Sequence, residues 1–145
     1  MVLASSKMTI KLNRREIAKF IGPTGPVYDE VRRVVRLTVN GARIRAGVLT
    51  GRLTSSIDSR IVVTPTAIIG TVFSKLEYAA YHHQGTGLRG PRHRMIVPVR
   101  AKALRWKGRG GWVFAMKSRG SAPNPFLVKA LKAASPWPVN EHVRA

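Results

Sequence analysis

The stretch VYDEVRRVVRLTVNGARIRA, Val27–Ala46, carries the main helical pattern of the chain. Its small and apolar residues recur at spacings of three and four, which places them on one face of a helix. These positions are Val27, Val31, Val34, Val35, Thr38 and Ala42. Asp29 and Glu30 lie in the first turn, where acidic side chains suit the helix dipole. Valine is a mediocre helix former, so we expect this helix to need a packing partner.

The residues before this helix predict two shorter elements. KMTIKL at positions 7–12 alternates polar and apolar residues, as a short strand does. Asn13 is a suitable N-cap, and Glu16 follows it at capping-box spacing. A helix of about two turns, RREIAKFI, is therefore expected, and it should stop at the breaker cluster GPTGP, Gly22–Pro26.

The residues after the helix predict a β-hairpin. SSIDSRIVV and AIIGTVFS flank the turn sequence TPT, Thr64–Thr66. Apolar residues on both sides keep a two-residue period, which is typical of strands with one buried face. Gly47 and Gly51, between the helix and the hairpin, are suited to turning the chain.

The second half of the chain alternates short elements with loops. KLEYAAYHH predicts one or two helical turns, and Gln84–Arg94 predicts a loop rich in Gly and Arg. Met95–Trp106 and WVFAMK predict strands, the first pair around a proline bend. Phe126–Ala134 predicts a short amphipathic helix.

This element order predicts an α+β fold, because the strands cluster in the middle and the helices lie toward the ends. We expect a mainly antiparallel sheet of about four to five strands. The long helix of the N-terminal half and the short C-terminal helix should pack on one face of that sheet. Residues 1–134 should form a single domain, which 145 residues with 44% apolar content can support, and residues 135–145 an extended tail.

The net charge of the chain is unusually positive. There are 26 Lys or Arg and 6 Asp or Glu, a formal net charge of +20. Such an excess indicates a polyanionic partner, usually nucleic acid, although an acidic protein or an anionic membrane surface would also fit. Cysteine is absent, which excludes disulfides and thiolate zinc sites. We expect no membrane span and no signal peptide, hence a protein made in a cytoplasm.

No catalytic pattern stands out. His82 and His83 are adjacent, so on a helix they would point about 100° apart, whereas a helical metal pair is spaced by three or four. The six carboxylates are few for a two-metal nuclease, and those at helix starts already have a structural use. We predict no enzyme, no cofactor and no metal. A small nuclease that depends on Glu77 remains as an alternative for testing.

The segment Arg89–Arg119 is the strongest candidate for a contact with nucleic acid. It holds ten Lys or Arg and no acidic residue, and it includes Trp106 and Trp112. Cationic side chains contact phosphates, and a tryptophan can stack on a base. We favour the other interpretation of the tryptophans, that both are core residues of strands. No base-reading module is present, so a contact would be directed at the backbone.

Three segments occur in a characteristic order: GVLTGRLTSSI, EYAAYHHQGTG and PNPFLVKAL. Together they resemble the tail-completion, or minor tail component, family of long-tailed bacteriophages over about residues 26–134. The matching positions are Thr50, Gly51, Leu53, Ser56, Ile57, Tyr78, Ala79, Tyr81, Gly85, Thr86, Pro125, Phe126 and Leu127. The chain departs from the family pattern at His83, where a carboxylate is common, and at Asn124, where an arginine is common.

The resemblance implies a structural virion protein at the head–tail junction, assembled in the host cytoplasm. It implies a homo-oligomeric ring, expected to be hexameric, around the DNA channel between the head connector or stopper and the tail terminator. The motif residues would then define the fold: Tyr78 and Tyr81 packing on the core, Gly85 turning the chain and Phe126 anchoring the last helix.

In such a ring the net charge of each copy adds up and must be neutralised. Six copies at +20 each carry +120, which needs DNA in the lumen or acidic neighbouring rings. The candidate contacts with double-stranded DNA or the lumen are Arg89, Arg92, Arg94, Arg105, Lys107 and Arg109. The alternative function is a basic, sequence-independent nucleic-acid-binding protein of ribosomal or nucleoid type.

Overall fold

The computed structural model describes residues 14–47, 51–108 and 110–140, and these form an α+β structure. The helices are α1 (Arg14–Ile21), α2 (Pro26–Arg45), α3 (Arg52–Ser56), α4 (Tyr78–Gln84) and α5 (Phe126–Ala134), with a 3-10 turn at Gly87–Arg89. The strands are β1 (Ile57–Val63), β2 (Ile68–Ser74), β3 (Leu104–Gly108) and β4 (Gly111–Ala115). The strand predicted at 7–12 and the cap predicted at Asn13 lie outside the described residues.

The long helix of the N-terminal half is confirmed as α2. Its buried residues form the predicted stripe, extended at Val39: Val34, Val35, Thr38, Val39 and Ala42. Val27, the first stripe position of the prediction, is 42% exposed. The buried hydroxyl of Thr38 donates to the carbonyl of Val34 at 2.8 Å, which lets a polar residue occupy the stripe without an unmet hydrogen bond.

Gly41 lies inside α2 because the C-terminal helix crosses there. A Cβ on Gly41 would come within 3.3 Å of the Ala130 Cβ, tighter than an ordinary contact. Two small residues thus let α2 and α5 approach closely. The helical cost of an internal glycine is offset by this packing.

The predicted single sheet is wrong: the strands form two separate two-stranded antiparallel sheets. In the first, Ile57 pairs with Ser74 and Val63 with Ile68. In the second, Leu104 pairs with Ala115 and Gly108 with Gly111. Each hairpin is built from neighbouring segments, and among residues 14–47, 51–108 and 110–140 no strand joins one to the other.

The expected strand MIVPV accounts for part of this difference. Of the segment 95–99, Ile96 alone forms a bridge, with Ser118, through two hydrogen bonds of 2.9 and 2.8 Å. Pro98 follows and has no N–H to donate, so the ladder does not continue. The chain then bends until β3 begins at Leu104.

The core is centred on α2. Its buried members are Val39, Ala42, Ala46, Leu53, Ile57, Ala79, Phe126 and Ala130, with Val72, Leu76 and Leu127 packed against them. The first hairpin reaches this core because Gly70 has no side chain, since a Cβ there would overlap the Cγ2 of Val35. Every core residue comes from residues before 80 or after 125.

Residues 88–119, called the basic arm below, therefore stand apart from the core. The arm contains the second hairpin, whose aromatic side chains reach solvent: Trp106 is 41% and Trp112 59% exposed. The prediction that both tryptophans are core residues is wrong. Strand periodicity indicated a buried face, but this hairpin has no layer packed on it that covers either tryptophan.

Candidate functional site

The GTG segment and the loop before α5 form a joint that closes the basic arm. The Thr86 N–H donates to the Ser121 carbonyl at 3.1 Å, and the Ser121 N–H donates to the Thr86 hydroxyl oxygen at 2.9 Å. The Leu88 N–H donates to the Arg119 carbonyl at 3.0 Å. We call this set of contacts the loop junction. It fixes both ends of the arm to each other.

Glycines make the loop junction possible. Gly87 and Gly120 have φ values of +66° and +78°, which residues with a Cβ adopt at a cost. A Cβ on Gly120 would overlap the Thr86 carbonyl oxygen, and one on Gly87 would lie 2.5 Å from the Arg119 carbonyl oxygen. The two backbones approach this closely because both positions lack a side chain.

Asn124 connects the loop junction to two helices. Its side-chain amide donates to the Arg45 carbonyl, the last residue of α2, at 2.9 Å. Its N–H donates to the His82 carbonyl at 3.1 Å, and its amide nitrogen lies 3.3 Å from the His82 Nε2. The side chain of Asn124 thus binds the last carbonyl of α2 and the His82 ring, while its backbone N–H binds a carbonyl of α4.

His82 and His83 pack on Phe126, the first residue of α5. The ring centroids of His82 and His83 lie 5.9 and 5.6 Å from that of Phe126, which is fully buried. Burial, together with the neighbouring His82, lowers the pKa of His83 below its ordinary 6.5. Within residues 14–47, 51–108 and 110–140, no group of three His, Asp or Glu side chains could hold a metal ion.

The tyrosines of α4 do not pack as predicted. Tyr78 is 43% and Tyr81 64% exposed, and the buried residue of this two-turn helix is Ala79. The packing face of α4 is centred on the small residue, so its bulky neighbours point toward solvent. Tyr81 instead lines an open cleft of about 820 Å³, which Arg92 and Arg94 also line.

The remaining motif positions lie at the ends of short helices. Gly51, with φ +72°, precedes α3, and Leu53 of α3 is buried. The hydroxyl of Ser56 lies 2.8 Å from that of Ser74, which joins the start of β1 to the end of β2. Pro125 precedes α5. Thr50 lies outside the described residues.

The candidate DNA contacts of the basic arm face solvent. Arg89, Arg92, Arg94, Arg105 and Lys107 are all exposed, and Arg109 lies outside the described residues. Three ion pairs occur in the described part of the chain: Glu16–Lys19, Glu30–Arg33 and Asp58–Lys75. None of these three involves the arm, and the chain has no carboxylate between residues 78 and 140.

The second hairpin arranges cations and aromatic rings on one face. Arg105 pairs with Phe114 and Lys107 with Trp112, and residues paired across antiparallel strands point to the same side. The guanidinium carbon of Arg105 lies 4.3 Å from the Trp112 ring centroid, a cation–π contact. We call these four residues the cation–aromatic face; Phe114, 65% exposed, is the member that the sequence analysis missed.

A signal for Phe114 exists in the sequence. Once the GRGG turn is taken as the hairpin turn, the two-residue period places Arg105, Lys107, Trp112 and Phe114 on one side. The opposite side then holds Leu104, Trp106, Val113 and Ala115.

Comparison with known proteins returns no match: no protein family, curated protein or solved structure resembles the chain significantly. None of the helices in the described ranges is both long and apolar enough to cross a membrane.

Proposed function

We propose that the chain is a structural subunit of a tailed-bacteriophage virion that forms a homo-oligomeric ring around the DNA channel at the head–tail junction. The observation that carries the proposal is the meeting of the three motif segments. Leu53 and Ile57 of the first segment, Ala79 of the second and Phe126 of the third belong to one buried cluster. Fold-defining residues are what the resemblance to tail-completion proteins implies at these positions.

Exposed apolar side chains support an assembled state. Val99 is 92% and Met116 68% exposed, and both lie in the basic arm. Large apolar side chains this exposed are commonly covered in an assembled state. In a ring, neighbouring copies would cover part of this surface.

The charge supports a position next to DNA or to acidic rings. The sequence of the arm contains cations and no carboxylate, so a polyanion in the lumen would neutralise them. The neighbouring rings in this proposal are the head connector or stopper on one side and the tail terminator on the other. The protein reaches this place in the virion after synthesis in the host cytoplasm.

Electron microscopy and mass measurement test the proposal. Purified protein should form rings, expected to contain six copies, and labelled protein should be found at the necks of virions. Val99→Asp with Met116→Asp should shift the mass distribution toward monomer, whereas Thr66→Asp, at the exposed turn between β1 and β2, should not. A chain that stays monomeric at all concentrations and is absent from necks would contradict the proposal.

The proposed role includes no catalytic step. Supercoiled DNA incubated with the protein and magnesium or manganese should remain intact. Cleavage that disappears in Glu77→Ala would support the nuclease alternative instead.

A second candidate is sequence-independent binding of nucleic acid by the isolated chain. It is favoured by the absence of a carboxylate between residues 78 and 140, which leaves twelve Lys or Arg there without an acidic neighbour in sequence. Binding should weaken steeply as salt rises, with no preference among base sequences. An isolated chain that binds no oligonucleotide at low salt would rule this candidate out.

A further inference from the structure

We propose that the cation–aromatic face of the second hairpin binds single-stranded nucleic acid, with bases stacked on Trp112 and Phe114 and phosphates held by Arg105 and Lys107. This inference does not rest on ring formation, and it specifies a ligand that neither candidate function above requires. The ligand is recognised by its backbone charge and by the accessible flat faces of its bases.

The spacing of the two rings suits successive bases. Trp112 and Phe114 are two residues apart on β4, so their attachment points are separated by about 6.8 Å along the strand. Bases stacked on each other in a helix are about 3.4 Å apart. A nucleic acid that uses both rings must therefore have its bases separated, which a single strand allows.

The exposure of the rings favours a single strand over a duplex. Trp112 is 59% and Phe114 65% exposed, so a ligand can reach the Phe114 ring and the side of the Trp112 ring that Arg105 does not cover. In a duplex the bases are paired and stacked internally, and their flat faces do not reach the protein. Aromatic platforms of this kind contribute to single-strand binding without sequence preference, because every base has a flat face.

The charge of the face favours a polyanion over a second copy of the chain. Arg105 and Lys107 lie in the carboxylate-free part of the sequence, and another copy would bring a further +20. Of the five carboxylates in the described residues, those of Glu16, Glu30 and Asp58 are already in ion pairs. A single strand supplies a negative charge at every nucleotide.

Arg105 also holds the Trp112 ring in position for a base to stack on it. Its guanidinium lies over the Trp112 ring at 4.3 Å, which restricts the indole and places a positive charge next to a stacked base. Less side-chain freedom is lost on binding when the ring is already held.

Fluorescence anisotropy with labelled oligo(dT) and with a duplex of the same length tests the proposal. Trp112→Ala and Phe114→Ala should each weaken oligo(dT) binding about tenfold and leave duplex binding within about twofold. Trp106→Ala is the matched control, because it removes a tryptophan from the opposite face of the same hairpin. Arg105→Gln or Lys107→Gln should each reduce the salt slope of oligo(dT) binding by about 0.7.

A second measurement avoids dependence on truncated side chains. Trp106→Phe combined with Trp137→Phe leaves Trp112 as the sole tryptophan of the chain. Oligo(dT) should quench its fluorescence strongly, since a stacked base contacts the indole directly.

Three results would overturn the proposal. One is a Trp112 signal unchanged at saturating oligo(dT). Another is equal weakening by Trp112→Ala and Trp106→Ala. The last is a loss of oligomer mass in Trp112→Ala with unchanged oligo(dT) binding, which would make this face an interface between copies. Ring formation is read by microscopy and base stacking by fluorescence, so either can fail without the other.

Discussion

At Thr86 and Gly120, two loops that are distant in sequence come into direct contact. Ser121 donates to the Thr86 hydroxyl oxygen, and the Thr86 carbonyl fills the space where a Gly120 side chain would stand. One added methyl group at position 120 is enough to disrupt this contact. It would occupy the space of the Thr86 carbonyl and would strain a backbone whose φ is +78°.

Gly120→Ala should lower the free energy of unfolding by about 2 kcal/mol or more, since strain and overlap add at one position. Chemical denaturation monitored by circular dichroism measures the change. Gly110→Ala is the control: no atom lies within 4 Å of its added Cβ, and the expected change is within about 0.5 kcal/mol. If the two substitutions lowered the free energy of unfolding equally, the close contact at Gly120 would not be what stabilises the fold.

His83 should make stability depend on pH. Because burial lowers its folded-state pKa below 6.5, the unfolded chain takes up a proton first as the pH falls. This contribution to stability is complete above pH 6.5 and is lost as the pH drops through the folded-state pKa. Unfolding midpoints measured from pH 7.5 downward should therefore decline below pH 6.5.

The decline should be smaller in His83→Gln. The control is Gln84→Asn at the neighbouring position of α4, which removes no titratable group and should retain the slope of the parent protein. A parent slope that persists in full in His83→Gln would assign the pH dependence to other groups.

The burial of some residues can be predicted from the sequence alone, and the burial of others cannot. The burial of Phe126 follows from its place at the start of an amphipathic helix after two prolines. The exposure of Tyr78 and Tyr81 does not, because on a helix of seven residues the packed face could be centred on either tyrosine or on Ala79. The partner surface decides, and it comes from distant parts of the chain.

At the scale of elements, local periodicity was sufficient for α2, for α5 and for the hairpin of β1 and β2. Each is defined by residues that are neighbours in sequence, and each lies close to its predicted bounds. Gly41 lies inside the pattern of α2, and Gly70 lies inside that of β2. They are contact points between elements, at Ala130 and at Val35, which periodicity does not encode.

The number of sheets was not predictable in the same way. Two hairpins with similar patterns can pair edge to edge or remain apart, and their strand residues look alike in both cases. The determining features are a proline after Ile96 and a loop junction that closes the arm at its base. The second of these is a contact between residues more than thirty positions apart.

The two hairpins should differ in local stability. β1 and β2 pack on α2 through Gly70, whereas the faces of β3 and β4 are open to solvent, and isolated two-stranded hairpins are marginal in water. Amides of β3 and β4 should exchange with deuterium at least about tenfold faster than those of β1 and β2. Equal protection in a monomeric sample would mean that the second hairpin is supported by contacts not seen here.

Across the whole molecule, repulsion among the positive charges destabilises the folded state. The three described ion pairs are exposed, and pairs of this kind contribute little to stability. They lower the pKa of Glu30, through a hydrogen bond from Arg33, and that of Asp58, through one from Lys75. Against these weak attractions stands the mutual repulsion of a net charge of +20.

Added salt should therefore stabilise the free protein. Raising the salt concentration from about 0.01 M to about 0.1 M shortens the screening length from about 30 Å to about 10 Å, which weakens repulsion more than it weakens three surface pairs. The thermal midpoint should rise by several degrees. Changing Arg92, Arg94 and Arg100 to Gln lowers the net charge from +20 to +17 and should reduce this rise. A midpoint that falls with salt would contradict this account.

The hydrogen bond from Leu88 to Arg119 has a consequence for how such a chain can diverge. It brings the two ends of the basic arm within the reach of a single turn, while every core residue lies outside the arm. A longer, shorter or differently charged insert between these two residues would leave the remaining fold with the same closed gap. The arm can therefore be exchanged as a cassette, and its surface can adapt to a new partner without repacking the helices.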